Sequence, residues 1–412
     1  MNKGLAFVIV SFLFYSVCSA QTKNLNYYID QGLMNSPLLK DYTNQILSNQ
    51  IDSQRLKVTY RPQVSASSSN FYAPVVNGYG YDPVVTNTGS YNALINVDQA
   101  FIGKRNLQTK YHSIGLQNDS ILNSKKISEQ DLKRTITAQY ITTYGDMLQL
   151  NFNKDVNNLL TKEDSILKRL TESNIYRQTD YLTFLVTLQQ QQLLLKQLNI
   201  QFTTDFATLN YLCGIYDTSS FMLDAPGIVL QQLPDETSSV FFKKYAIDSL
   251  QLLNNIAILN YNYRPKANAY INGGYFSSLL YQSYKNFGTG IGLNVSVPIY
   301  DGHQRKLQYE KIKLLENTRS NYKDFFAQQY NQQITQLKQQ LRRTEELITD
   351  IDAQIKYSQT LIDVNGKLME TGDAKIADFV IAINNYLNAK NLLNQNNVSR
   401  LQLINQLNYW NR

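Results

Sequence analysis

The sequence predicts an α+β membrane protein built from two internal structural repeats. Each repeat supplies two β-strands and one long antiparallel α-helical coiled-coil hairpin, so the chain owns four strands. Three observations carry this reading. The chain matches itself at a shift of about 200 residues, its prolines avoid two long stretches, and period-two segments follow two of those prolines.

The repeat sets the frame. Residues 168–212 laid over 366–410 at a shift of 198 give ten identities in 45 positions, among them Glu172/Glu370, Asp180/Asp378 and Tyr211/Tyr409. Upstream, Tyr60-Arg61-Pro62 matches Tyr263-Arg264-Pro265, and Asn96-Val97 matches Asn294-Val295. Solenoid repeats run roughly 20–50 residues, so this period indicates duplicated halves instead.

Residues 1–20 read as a secretory signal peptide: Lys3, an apolar run from Leu5 to Val17, then a cut expected after Ala20. Tyr15-Ser16-Val17 lacks the pattern that would make Cys18 a lipidated first residue. Residues 21–62 form an N-terminal helical segment, closed by Pro62. The residue before proline is pushed toward extended geometry, so Arg61 and Arg264 mark helix-to-strand switches and Pro62 and Pro265 mark strand entries. Residues 63–101 and 265–300 then hold barrel strands with their loops. Ile291 to Ile299 alternates apolar with small or polar residues, as do Asn92 to Asp98, which gives each strand one apolar face. Tyr72, Tyr79, Tyr81, Tyr91, Tyr270, Tyr275, Tyr281 and Tyr284 are expected as interfacial aromatics.

Residues 102–213 and 301–412 are the two helical hairpins. Residues 84–225 and 299–412 contain no proline, and 303–365 no glycine. A helix over 104–170 would reach about 100 Å and must pack as a coiled-coil hairpin or a tube. Leu188, Leu195, Leu198, Phe202, Phe206 and Leu209 supply its apolar stripe. Residues 214–264 are expected to be an equatorial connector with a short helix.

Composition excludes most chemistry. Two His and two Cys leave no zinc site, thiol enzyme or disulfide scaffold, and five Met leave no methionine relay for copper or silver. No GxSxG, HExxH or phosphate-binding glycine loop occurs, so neither catalysis nor a cofactor is expected. The formal charge of +7 is spread along the chain without basic-aromatic runs, which argues against nucleic acid. Charged residues are only 17%, while Asn and Gln make up about a fifth of the chain. Such uncharged polarity suits tunnel helices wet on two sides. Four strands cannot close a barrel and an open edge cannot face lipid, so either the sheet is a soluble sandwich or a membrane barrel takes strands from two or three copies.

The order of these elements resembles the TolC family of outer-membrane efflux and secretion ducts over nearly the whole mature chain. Val297-Pro298-Ile299-Tyr300-Asp301-Gly302 with Arg305 is similar to the family's second strand exit, with Ala100 to Gly103 and Arg105 as a weaker counterpart. Gly372-Asp373-Ala374-Lys375-Ile376-Ala377-Asp378-Phe379-Val380 resembles its hairpin tip, echoed by Asn174 to Leu182. The resemblance implies a homotrimer with a 12-stranded outer-membrane barrel above a periplasmic helical tunnel in a Gram-negative cell. It also implies a periplasmic adaptor (membrane fusion) protein and an inner-membrane pump of RND or ABC type as partners.

Tip and gate candidates are Arg177, Asp180, Gly372, Asp373, Lys375, Asp378 and Ile381. Arg177, Asp180, Lys375 and Asp378 could pair between neighbouring hairpins, or Asp180 and Asp378 could serve as helix caps. Family members carry an acid where this chain has Ile381 and a Tyr where it has Met369, which leaves open an electrostatic or an apolar gate. Lys104-Arg105 and Arg305-Lys306 follow the strand exits at helix N-termini, where the dipole disfavours cations. Lipid headgroups, a neighbour's carboxylate or plain solvent could meet them. A rival reading is a secreted coiled-coil tether or adhesin with a small β-domain.

Overall fold

The computed structural model describes residues 23–81, 89–217, 219–232, 239–278 and 283–410. The expected signal peptide, Cys18, Pro83, Pro234 and Tyr281 lie outside the described residues. The element order is α1 (Leu25–Asn35), α2 (Pro37–Thr59), β1 (Gln63–Tyr72), β2 (Gly89–Phe101), α3 (Lys104–Glu172), α4 (Gln178–Leu212), α5 (Val240–Asn262), β3 (Lys266–Ser277), β4 (Phe287–Ser296), α6 (Gln304–Thr371) and α7 (Ile376–Trp410). A 3₁₀ turn at Ser283–Lys285 precedes β4.

The sequence of helix, two strands and helical hairpin therefore occurs twice. α3 and α6 run 69 and 68 residues without a break, and α4 and α7 run 35 each. Residues 214–264 differ from expectation: α5 is no short helix but spans 23 residues, the same length as α2. Its Leu, Ile and Asn run meets no breaker before Pro265. Both helices stop just before a proline-led strand, with β1 beginning directly after Pro62 and β3 directly after Pro265.

The four strands make one antiparallel sheet in the order β1-β2-β3-β4, so β1 and β4 are free edges within the chain. Val64 faces Val97, Val97 faces Ile271, and Ile271 faces Ile291, which puts these residues on one face in one row. Along each strand side chains alternate, so this face also carries Ile95, Leu293 and Val295. It is bare: Ile291 is 83% exposed and Leu293 67%. The opposite face carries Ser65, Ser67, Ser69, Asn92, Asn96, Asn268, Asn272 and Asn294, with Leu94 among them and Phe71 and Phe276 at the loop end. Tyr72, Tyr91 and Tyr275 cluster at the loop end of the apolar face, and the Tyr275 ring meets Phe287 at 5.8 Å. Tyr270 departs from the expected aromatic rim: it stands mid-strand on the polar face, because it is in phase with Asn268 and Asn272. Gly274 is obligatory, since its φ is 150° and a Cβ there would lie 2.2 Å from the Ala93 carbonyl.

The chain divides into two compact units, to both of which α3 and α6 contribute. The sheet unit comprises Pro37–Asp131, Gln231–Gln336 and Asn408–Arg412. Its aromatic core joins Phe242, Tyr330 and Ile334, with Phe326 and Trp410 against them. The hairpin unit comprises, of the described residues, 23–36 together with Leu132–Leu230 and Leu337–Leu407. There Tyr28 of α1 is fully buried against Tyr140 and Phe206. Phe202, Phe206 and Leu209 of the expected α4 stripe join this cluster, with Leu195 and Leu198 packed at its edge. Among the described residues no helix is long and apolar enough to cross a membrane.

Candidate functional site at the hairpin tips and strand exits

Both hairpins turn in the same way. α3 ends with Asn174 in the left-handed region (φ 60°), and α6 ends with Gly372 there (φ 83°). These positions are 198 apart, the shift of the sequence repeat. At the first tip Ile175 N–H donates to the Leu170 carbonyl and Asn174 N–H to Thr171; at the second, Asp373 N–H donates to Leu368 and Gly372 N–H to Met369. Each is a Schellman closure, which satisfies the last helical carbonyls and requires Gly or Asn at the left-handed residue.

The charged tip residues do not act as expected caps. Arg177 is the N-cap of α4, and its side chain makes no capping bond. Asp180 and Asp378 instead lie in the first turns of α4 and α7, three residues after Arg177 and Lys375, whose carbonyls accept their N–H groups. The helices begin earlier than the aspartates suggested, so the carboxylates act on the positive helix ends through the dipole rather than as caps. Arg177, Asp180, Asp373, Lys375 and Asp378 are all exposed, and among the described residues no ion pair joins them within the chain. Ile381 is 55% exposed, while Met369 is fully buried and faces no solvent.

What joins the two tips is apolar, with one polar tie. Leu160 and Leu167 of α3, Phe184 of α4, Met369 of α6, and Phe379 and Ile383 of α7 form one core, each at most 1% exposed. Above it the Tyr176 hydroxyl sits 2.9 Å from the carbonyl oxygens of both Met369 and Ala374, donating its single proton across the turn of the other hairpin. Burial, then the charge of Asp373, raises the Tyr176 pKa, which keeps the phenol a donor. Sequence reasoning missed this residue. Its only signal was an aromatic at a turn position where the other repeat has Ala374. Tyr176→Phe is expected to cost about 0.5–1.5 kcal/mol and to speed hydrogen exchange at both turns severalfold. Unchanged exchange would remove the tie from the account. Glu163, also buried in this seam, has its carboxyl pushed upward by burial and by nearby Glu370, against the opposing pull of Lys162.

Outward from the shared core, two apolar stripes have no partner among the described residues. α6 exposes Tyr357, Leu361, Val364 and Leu368 at spacings of four, three and four. α4 exposes Leu182, Val186, Leu193 and Ile200, spaced four, seven and seven. These are coiled-coil seam spacings.

The strand exits hold their cations differently. Lys104 and Arg105 begin α3 and are exposed. Near the start of α6, Asp301 accepts from the N–H groups of His303 at 3.0 Å and Arg305 at 2.8 Å, so a carboxylate of the chain itself meets the helix dipole. The Arg305 N–H bond, helped by the Tyr263 hydroxyl, holds the Asp301 carboxyl below its ordinary value. The Arg305 guanidinium donates to Asn260 at 2.6 Å and lies over the rings of Tyr263 and Tyr309. Lys306 remains exposed. In the first repeat Lys110 likewise lies over Tyr60, 5.1 Å from its centroid. Each strand-entry tyrosine, two residues before Pro62 or Pro265, thus meets a cation from the outgoing helix.

No protein-family profile matches the sequence, and no curated protein matches it. Solved structures do match. Against the outer membrane protein VceC of Vibrio cholerae the TM-score is 0.75 at 12% identity, over 94% of this chain and 96% of that one. Against the CmeC outer membrane channel of Campylobacter jejuni it is 0.73 at 12% identity, over 94% and 85%. Against the open state of the MtrE outer membrane channel of Neisseria gonorrhoeae it is 0.73 at 11% identity, over 94% and 88%. At such identities the likeness is one of fold.

Proposed function

From the fold this chain shares with outer-membrane channels, we propose that it is a trimeric channel-tunnel of the outer membrane and the passive exit duct of a tripartite efflux or type I secretion system. Three copies supply twelve strands, and the hairpins stand in the periplasm of a Gram-negative cell, where a periplasmic adaptor and an inner-membrane pump dock. The observation that carries this reading is the sheet. It has one bare apolar face, one polar face and two unpaired edges, which suits a share of a barrel and no water-soluble domain. The exposed seams of α6 and α4 support the same reading, since a neighbouring copy is what would cover them. The duplicated element order supports descent from two repeats.

The tips are the periplasmic closure in this reading. Among the described residues their charges have no ion-pair partner within the chain, and in this reading they pair between copies, each exposed bond worth on the order of 1 kcal/mol or less. Contacts that weak can be exchanged for adaptor contacts.

The test is extraction followed by conductance. The native chain is expected to leave the outer membrane only with detergent, to run as a trimer on seminative gels, and to form a low-conductance channel in planar bilayers. Asp378→Lys or Lys375→Asp is expected to raise the closed-state conductance. A stable water-soluble monomer would end the duct reading, whereas unchanged conductance in both variants would end only the gate assignment.

A further inference from the structure

The polar face of the sheet is uncharged for nearly its whole height. Asn96 Nδ2 donates to Ser67 Oγ at 2.9 Å, and the Ser69 backbone N–H donates to Asn92 Oδ1 at 3.0 Å, so the carboxamides of β2 are tied to a hydroxyl and to the backbone of β1. On β4 this face carries Asn294 and Ser296 at the helix end and then Gly292, Gly290 and Gly288, which leave the backbone bare. Side chains of β3 lean over that stripe. A Cβ at Gly290 would lie 2.7 Å from Asn272 Oδ1, and one at Gly292 would lie 2.2 Å from Tyr270 Cζ. Asn272 and Tyr270 therefore lie flat along the wall, keeping bulk out of the space in front of it.

Within the four strands only Asp98 and Lys266 are charged. They have opposite signs, and both stand at the helix end of the sheet. Asp98 faces Gln63, the first residue of β1, and Lys266 is the first residue of β3.

Resting on the duct reading, we propose that the membrane-level lumen is a neutral, hydrogen-bonding conduit whose cargo class is uncharged or zwitterionic polar solutes, with little preference for either sign of charge. Asn carboxamides and Ser hydroxyls both donate and accept, so they replace a solute's water whichever kind of group it presents. The Tyr270 ring adds an apolar patch for the flat faces of sugars or aromatic rings. A lining of one sign would instead concentrate counter-ions and raise their encounter rates by about 10–10³-fold.

Thiol labelling of cells from the outside tests this without involving the periplasmic closure. Native Cys213 is fully buried and gives a silent background. Asn272→Cys and Asn96→Cys are made in the full chain, with Ile271→Cys as the control on the opposite face. Membrane-impermeant cationic and anionic methanethiosulfonates of similar size are then compared. The expected result is that both reagents modify Cys at 272 and 96, in a rate ratio within about threefold of that for a free thiol. A preference above about tenfold for one sign would overturn the neutral conduit and leave the barrel standing. If neither reagent reaches Cys at 272 or 96, whatever happens at 271, the duct reading itself fails.

Discussion

Ile271→Lys is expected to abolish assembly in the outer membrane. The residue lies mid-strand in β3, half exposed on the apolar face, in one row with Val97 and Ile291. In the proposed trimer this face meets lipid; a lysine there near the bilayer midplane costs about 2–4 kcal/mol, and three copies carry it three times, for about 6–12 kcal/mol. That is comparable with the whole stability of an ordinary domain. The adjacent Asn272→Lys makes the same chemical change on the opposite face and is expected to leave the trimer intact. Trimer yield in outer-membrane fractions, compared on seminative gels, decides the matter. Equal loss in both variants would mean that the two faces do not differ in what they meet.

Phe379→Ala is expected to be the most damaging substitution at the tips. Phe379 is 1% exposed and packs in the core that α3, α4, α6 and α7 share. Removing a buried phenyl ring costs about 3–5 kcal/mol, because the surrounding side chains close the cavity only in part. The loss should appear as faster hydrogen exchange in residues 156–188 and 362–387, with the strands keeping their protection. A change below about 1 kcal/mol would show that the core reorganises around the gap. Leu182→Ala, on an exposed α4 seam, is the contrast, since within one copy it touches no core.

Much of this architecture was legible in the residues. The strand entries followed from Tyr-Arg-Pro, which forces extended backbone before the proline, and β1 and β3 begin one residue later. The two faces followed from alternation, and the long helices from the absence of breakers. The Asn174/Gly372 equivalence was present in the shift of 198, though its meaning as a pair of left-handed helix ends needed dihedral angles. The tips were harder for two physical reasons. Asp180 and Asp378 resemble caps by residue type, yet the helices already begin two residues before them, at Gln178 and Ile376, and nothing in the side-chain identities of Arg177 or Lys375 announces that. Tyr176 reaches backbone carbonyls, which every residue possesses, so its partners Met369 and Ala374 leave no trace in composition or spacing. Tyr270 was misplaced because its residue type suggests an interfacial rim, whereas its parity with Asn272 assigns the face.

The unpaired margins of β1 and β4 have a kinetic consequence. On the proposed trimeric reading, a newly exported copy carries two rows of unsatisfied amide groups beside a greasy surface, and both stay a liability until other copies arrive. Productive encounters need several molecules at once, while adhesion to the wrong neighbour needs only one. The finished yield should therefore fall more steeply than expression, so that halving synthesis costs more than half of the product.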